Sequence, residues 1–220
     1  MADDLRGLRV SYDLGALTKA DLAETPLAQF RRWFADAVEA KLTEPNAMVL
    51  GTVSRDGVPS ARTVLLKDVD GRGFAFYTNL SSRKGSDLAA TGRASLVFPW
   101  YPLHRQVVVA GSVVQVPREE AASYFASRPH GSRIGAWASR QSQVIPDRAV
   151  LEERYAEILE RFPQDVPLPD FWGGWIVVPD TVEFWQGRES RLHDRLRFRR
   201  VSDTAVIDAA AGWVLERLSP

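Results

Sequence analysis

The sequence predicts a mainly β, α+β fold, with an antiparallel sheet closed or nearly closed into a barrel and helices on its periphery. Three observations lead there. β-Branched and apolar runs recur in short hairpins marked by Asp56-Gly57 and Asp70-Gly71. Helical stripes are inserted between these hairpins instead of alternating strictly with strands. Neither G-x-G-x-x-G after the first strand nor G-x-x-x-x-G-K-[ST] anywhere supplies the cradle of a doubly wound nucleotide-binding fold. At 220 residues the chain fits one such domain. Its body is expected at residues 25–220, after a polar N-terminal arm, residues 1–24, that has no sustained period.

The first helix starts at Thr25-Pro26, a cap followed by proline at the first helical position, and carries Leu27, Phe30, Phe34, Val38 and Leu42 at helical spacing. Ala47 to Ser54 and Val58 to Lys67 read as the first hairpin, and Gly73 to Asn79 as a third strand. A short helix is expected from Ser82 to Ala90, then valine-rich strands at Ala94 to Trp100 and Arg105 to Val116. Arg118 to Arg128 and Pro146 to Phe162 have helical periodicity, the second with Val150, Leu151, Tyr155, Ile158, Leu159 and Phe162 along one stripe. Five strands follow: Trp172 to Val178, Thr181 to Gln186, Arg195 to Arg200, Ala205 to Asp208 and Trp213 to Leu218.

Composition narrows the chemistry. The 28 basic and 28 acidic residues cancel, which removes the broad positive field of a protein that grips nucleic acid by backbone charge, so any basic site is local. With no cysteine, disulfides, thiol nucleophiles, zinc-cysteine clusters and iron-sulfur centres are excluded. His104, His130 and His193 are too scattered for a metal signature. The acidic start has no apolar leader core and no run reaches a membrane span, so a cytoplasmic protein is expected.

Phosphate can be held by hydroxyls, guanidinium groups and the N–H groups of a helix start. Ser81-Ser82-Arg83-Lys84 supplies all three after the strand ending Tyr77-Thr78-Asn79, although it also reads as a serine cap with solvated charges. Arg62 and Lys67 bracket an apolar strand. A regular pleat turns them to opposite faces, so convergence needs a bulge, a barrel corner or a second ligand contact. Tyr124 and Arg128, continuing to Ser132, form another hydroxyl and guanidinium set, or else a helix end opposed by arginine. The densest segment, Glu183 to Arg195, places Trp185, Arg188, Arg191 and His193 around a turn. An RNA-binding barrel would use the six arginines between Arg188 and Arg200, and the balanced total charge weighs against it.

The run Trp185-Gln186-Gly187 with Arg191-Leu192-His193-Asp194-Arg195 resembles the signature of the pyridoxine/pyridoxamine 5′-phosphate oxidase family. Further blocks resemble that family in its own order: Arg62 to Lys67, Phe76 to Asn79 with Ser82-Arg83-Lys84, Phe98-Pro99-Trp100 with Arg105-Gln106-Val107, Ser127-Arg128-Pro129, Ile134 to Trp137 with Gln141-Ser142, and Phe171 to Gly174. The likeness runs from about Arg9 onward and is weakest in the first eight residues, at Arg188-Glu189-Ser190 and at 202–212.

The resemblance implies an FMN-binding split β-barrel with peripheral helices, a homodimer with active sites at the subunit interface. It implies oxidation of pyridoxamine or pyridoxine 5′-phosphate to pyridoxal 5′-phosphate by oxygen, with a hydride passing from C4′ to flavin N5 and hydrogen peroxide released. Matched residue by residue, it implies flavin ligands at Arg62, Lys67, Tyr77, Thr78, Ser82, Arg83, Lys84, Gln106, Gln141, Ser142, Trp185 and Arg195. Lys67, Tyr124, Arg128 and Ser132 match the substrate-phosphate pocket, and Arg9 with Tyr12 matches an arm that covers the site. Arg191 and His193 match residues set against the vitamin ring and are the expected catalytic pair, with His193 a candidate proton acceptor. Other split-barrel flavoproteins, reductases and haem-linked proteins among them, share the scaffold, and the Arg191-to-Arg195 segment separates this chain from them.

Overall fold

The computed structural model describes residue 7 and residues 11–220. Arg9 therefore lies outside the described residues. Among the described residues nine strands form one antiparallel sheet: β1 (Ala47–Val53), β2 (Pro59–Leu65), β3 (Asp68–Asp70), β4 (Gly73–Asn79), β5 (Arg93–Trp100), β6 (Arg105–Gln115), β7 (Trp172–Gln186), β8 (Asp194–Arg200) and β9 (Trp213–Leu218). Among the described residues five α-helices accompany it: α1 (Pro26–Glu39), α2 (Arg83–Thr91), α3 (Arg118–Ser127), α4 (His130–Ala138) and α5 (Ala149–Arg161).

The strand order is β2-β1-β5-β6-β7-β4-β3, with β8 on β7 and β9 on β8. The chain passes from β2, at one end of this order, to β3, at the other, through Leu66 and Lys67 alone. So short a link forces the sheet to curl until its ends meet, and the Lys67 N–H donates to the Ala75 carbonyl of β4 at 2.9 Å across the seam. β7 serves both halves of the curl, because its first half pairs with β4 and its second half with β8 while β6 runs beside it from Trp175 to Gln186.

α1 enters where its sequence signals said. Thr25 Oγ1 accepts the Ala28 N–H at 3.1 Å, Pro26 occupies the first turn, and the Leu27 N–H is taken by the Ile207 carbonyl at 2.9 Å. Its buried face brings Phe30 against Phe74 and Phe98, with ring centroids 4.9 and 5.0 Å apart, and Trp33 against Phe184 at 5.3 Å. The edge of this core is fastened by Arg105, which pairs with Asp36 at 2.6 Å, bonds Gln186 Oε1 at 2.9 Å and covers the Trp33 ring.

Several elements depart from expectation. Residues 205–208 form no strand. Buried Ile207 gives them a strand-like pattern, but their backbone serves Gly71 and Leu27 singly in a turn. The two strands expected around Pro179-Asp180 are one, since the pairing with β6 shifts between Ala110 and Gly111 and absorbs the proline opposite Gly111. Glycine is required there, because a Cβ at Gly111 would stand 2.0 Å from the Val178 carbonyl oxygen. α4 was not foreseen: Gly131 and Gly135 depress its propensity, and buried Ile134 and Ala138 hold it through packing. β3, three residues with two aspartates, was also missed. Of the stripe on α5, where no residue is fully buried, Ile158 packs against the Phe125, Ile134, Val166 and Trp172 cluster, and Val38 at the end of α1, expected on that helix's apolar face, is exposed.

Phe30 is fully enclosed, so Phe30→Ala should cost about 3–5 kcal/mol of folding stability. Urea unfolding of the two proteins measures it, and a loss below about 1 kcal/mol would mean that α1 does not plug the sheet.

Candidate functional site

Where the sheet closes, β2, β4, α2, α3, α4 and the 139–142 segment surround a cavity of about 1060 Å³. The strand ends at Leu65, so Lys67 escapes the pleat that would have turned it away, and it lines the same cavity as Arg62. Arg83, Lys84 and Arg128 complete a set of five cations, and among the described residues no carboxylate lines the cavity. Tyr77, Thr78, Tyr124, Ser132, Gln141 and Ser142 line it too.

The α2 start gathers hydroxyl, ammonium and backbone N–H groups at the cavity. Ser82 caps the helix, accepting the Gly85 N–H at 3.3 Å and donating to the Asn79 carbonyl at 2.7 Å, and is buried behind the cavity wall. Lys84 is bent back onto Gln141 Oε1 at 2.8 Å and Thr78 Oγ1 at 3.3 Å. The Arg83 N–H reaches Ser142 Oγ at 3.2 Å, which ties the 139–142 segment to the helix start. Burial first, then the neighbouring Arg62, hold the Lys84 ammonium below its ordinary value.

The opposite wall is aromatic. Tyr77 stacks on Tyr124 at 4.1 Å and on Trp172 at 5.6 Å, with planes 17° and 7° apart. Arg128 lies over Trp172 at 4.9 Å, with its Nη1 buried and without a hydrogen-bond partner among the described residues. Burial pushes the Tyr77 phenol up to about 12, so it stays protonated. Trp172, Asn79 and Ser139 were not among the expected site residues. Trp172 could have been found from the Phe171-to-Gly174 block and Asn79 from the Phe76-to-Asn79 block, whereas Ser139 carried no signal of its own.

Gln106, Trp185, Arg191, His193, Arg195 and Tyr12 line no part of this cavity. Gln106 and Arg195 flank Trp185 in the β6-β7-β8 register, near the end of β7 opposite Gly174, the partner of Tyr77. At about 3.3 Å per residue, a strand of this length separates two groups by tens of ångströms. Trp185 and His193 rings lie 4.6 Å apart, and Tyr12 meets His104 at 4.6 Å and His193 at 5.7 Å. His193 Nδ1 accepts the Arg188 N–H at 3.1 Å, so the neutral ring carries its proton on Nε2. Burial and then Arg191 lower the pKa of His193. Arg195 is held by Glu183 at 2.7 and 3.0 Å.

Asp194 anchors this second cluster. Its carboxylate accepts the Leu17 N–H at 3.0 Å, Arg217 at 2.6 Å and Arg188 at 3.2 Å. Burial raises its pKa, but the Leu17 N–H and the two guanidinium groups outweigh that and leave it below 3.8.

A curled split sheet with a cationic, aromatic-walled cavity defines a protein that holds phosphorylated planar molecules. Comparison with known proteins narrows the class. Residues 34–162 match the family described as pyridoxamine 5′-phosphate oxidase, and 172–220 match the pyridoxine 5′-phosphate oxidase C-terminal dimerisation region. Pyridoxine/pyridoxamine 5′-phosphate oxidase of Burkholderia multivorans is 57% identical over 98% of this chain and 99% of its own length. That of Cupriavidus taiwanensis is 54% identical with the same coverage. Among solved structures, PhzG from Burkholderia lata in complex with tetrahydrophenazine-1-carboxylic acid superposes with a TM-score of 0.84 at 31% identity, over 96% of this chain and all of that one. A pyridoxamine 5′-phosphate oxidase-related, FMN binding protein from Nostoc punctiforme shares the fold, with a TM-score of 0.67 at 17% identity over 87% of this chain and 97% of that one. The chain belongs to the pyridoxine/pyridoxamine 5′-phosphate oxidase family.

Because Lys84 is depressed below 10.5, the unfolded chain binds more protons than the folded one between the lowered value and 10.5. Stability of the apoprotein should rise with pH across that alkaline window, and Lys84→Met should remove this gain. Urea unfolding of both proteins at neutral and alkaline pH checks it, and identical pH profiles would contradict it.

Proposed function

We propose that this chain is the protomer of a homodimeric, FMN-dependent oxidase that converts pyridoxamine or pyridoxine 5′-phosphate to pyridoxal 5′-phosphate with release of hydrogen peroxide. The observation that carries this reading is the cavity with five cations and no lining carboxylate among the described residues, in a chain more than half identical to such oxidases. Its size and polarity suit FMN. A dianion fits the Arg62, Arg83 and Lys84 side, and hydroxyl and amide groups at Thr78, Gln141 and Ser142 suit the polar remainder of the cofactor. When bound, FMN takes up the two electrons of the substrate and delivers them to oxygen, so the chain's own residues supply position and charge.

Lys67, Tyr124, Arg128 and Ser132 hold the substrate phosphate. The buried, unpartnered Nη1 of Arg128 supports this, since an anion would complete its hydrogen bonding. Gln106, Trp185, Arg191, His193 and Arg195 act in the cavity of the other protomer, and Tyr12 covers it. Support comes from the position of these residues at the far end of β7 and from the match of 172–220 to a dimerisation region. Arg191 orients the substrate and balances its charge. His193 donates from Nε2, because its Nδ1 lone pair is already engaged by the Arg188 N–H. Orienting two planar rings in this way replaces an encounter by an aligned contact, an effect worth up to about 7–11 kcal/mol in model systems.

The purified protein should be yellow, with a flavin band near about 450 nm, and should release peroxide with pyridoxamine 5′-phosphate. A protein that stays colourless and inactive after reconstitution with FMN would refute the assignment. Arg83→Ala should lose FMN on dialysis.

The shared site makes a separate prediction. Arg128→Ala and Arg191→Ala homodimers should each lose most turnover, and dimers reassembled from a mixture should regain about a quarter of wild-type activity, the statistical share of intact sites. No recovery in verified mixed dimers would place both residues in one protomer's site.

A further inference from the structure

Behind the cationic wall lies a carboxylate to which no role has been given. Asp87, on α2, is 5% exposed. Its Oδ2 accepts the Thr52 hydroxyl at 2.7 Å and the Ser60 hydroxyl at 3.3 Å. Each hydroxyl has one proton, and the two oxygens also lie 3.2 Å from one another, where either could be the donor, but toward a guanidinium neighbour each can only accept. That neighbour is Arg62 in both cases: Nη1 donates to Thr52 Oγ1 at 2.7 Å and Nη2 donates to Ser60 Oγ. The result is an ion pair with one hydroxyl inserted in each of two arms. Nη1 also donates to the Leu50 carbonyl at 3.2 Å, which fixes the guanidinium plane against β1.

The charge balance gives this arrangement its meaning. Burial lowers the pKa of Arg62, Asp87 opposes that shift and Arg83 adds to it, while Lys84 is lowered by burial and by Arg62. Several cations crowded in a partly desolvated wall repel one another, and a buried charge of opposite sign offsets that cost. The same negative charge repels an incoming dianion, and it is weakly screened because it is buried.

We propose that Asp87 is the built-in counter-charge of the cavity: it balances Arg62 before an anion arrives, and by opposing the phosphate it sets how strongly the site prefers a phosphorylated flavin to an unphosphorylated one. Asp87 is thus a positioning and specificity residue that acts through Arg62. The inference rests on the flavin reading above.

The test uses the full-length apoprotein and Asp87→Asn, which keeps an oxygen for both hydroxyls and removes the charge. FMN, riboflavin and inorganic phosphate are titrated into each. In the variant FMN should bind about tenfold more tightly while riboflavin affinity changes less than about twofold. The apoprotein Tm should fall, and inorganic phosphate should raise Tm more in the variant than in wild type. Thr52→Val, which cuts one arm but leaves the charge, should not increase the preference for FMN over riboflavin. Equal changes for both flavins, no change, or weaker FMN binding would overturn the proposal. If the variant folds only with FMN present, it should release FMN more slowly than wild type, and equal or faster release overturns the proposal. Failure of wild type to bind FMN would instead sink the flavin reading, and the phosphate titration still reports on Asp87.

Discussion

The two-residue passage between β2 and β3 is the constraint on which the rest of the molecule depends. Those strands sit at opposite ends of the strand order, so a link of only Leu66 and Lys67 leaves the sheet no option but to curl. Curling encloses the aromatic core around Phe30 on one side and opens the cavity at the seam on the other. It also releases Lys67 from strand alternation, which is why two cations of opposite pleat parity line one site.

Concentrating positive charge in that seam raises a problem that the surrounding polar groups resolve. Lys84 is folded back onto Gln141 and Thr78, and Arg62 is backed by hydroxyls leading to Asp87. Hydroxyls and amides hold these cations without neutralising them by contact, so their charge remains available to a dianion. The aromatic wall of Tyr77, Tyr124 and Trp172 supplies a flat, rigid surface beside it. Rigidity here has an entropic benefit, because side chains already fixed lose little on binding.

Much of this architecture was legible in the sequence because its signals are local. The Thr25-Pro26 cap, the Asp56-Gly57 turn and the valine-rich strands report their own backbone preferences. The Ser82-Arg83-Lys84 start was readable for the same reason, and the ordered family blocks contain most of the residues that line the cavity. What escaped depends on tertiary context. α4 is held by Ile134 and Ala138 against neighbours that a helical pattern with two glycines does not reveal. Pro179 argued for a break in β7, and only the register shift opposite it, at Gly111, makes one long strand possible. Asp87 looked like any polar residue on a short helix, since its partners Thr52 and Ser60 lie on other elements.

Asp194 has a consequence of a different kind. One carboxylate receives Leu17 from the N-terminal arm, Arg188 from the loop before β8 and Arg217 from the last strand. Three segments far apart along the chain therefore share a single latch. Substituting this one side chain, or protonating it in acid stronger than its lowered pKa, would release the Leu17 backbone, Arg188 and Arg217 in the same event. Conversely, anything that seats the Leu17 segment tightens the loop, so order around Leu17 and order in the His193 loop are one equilibrium.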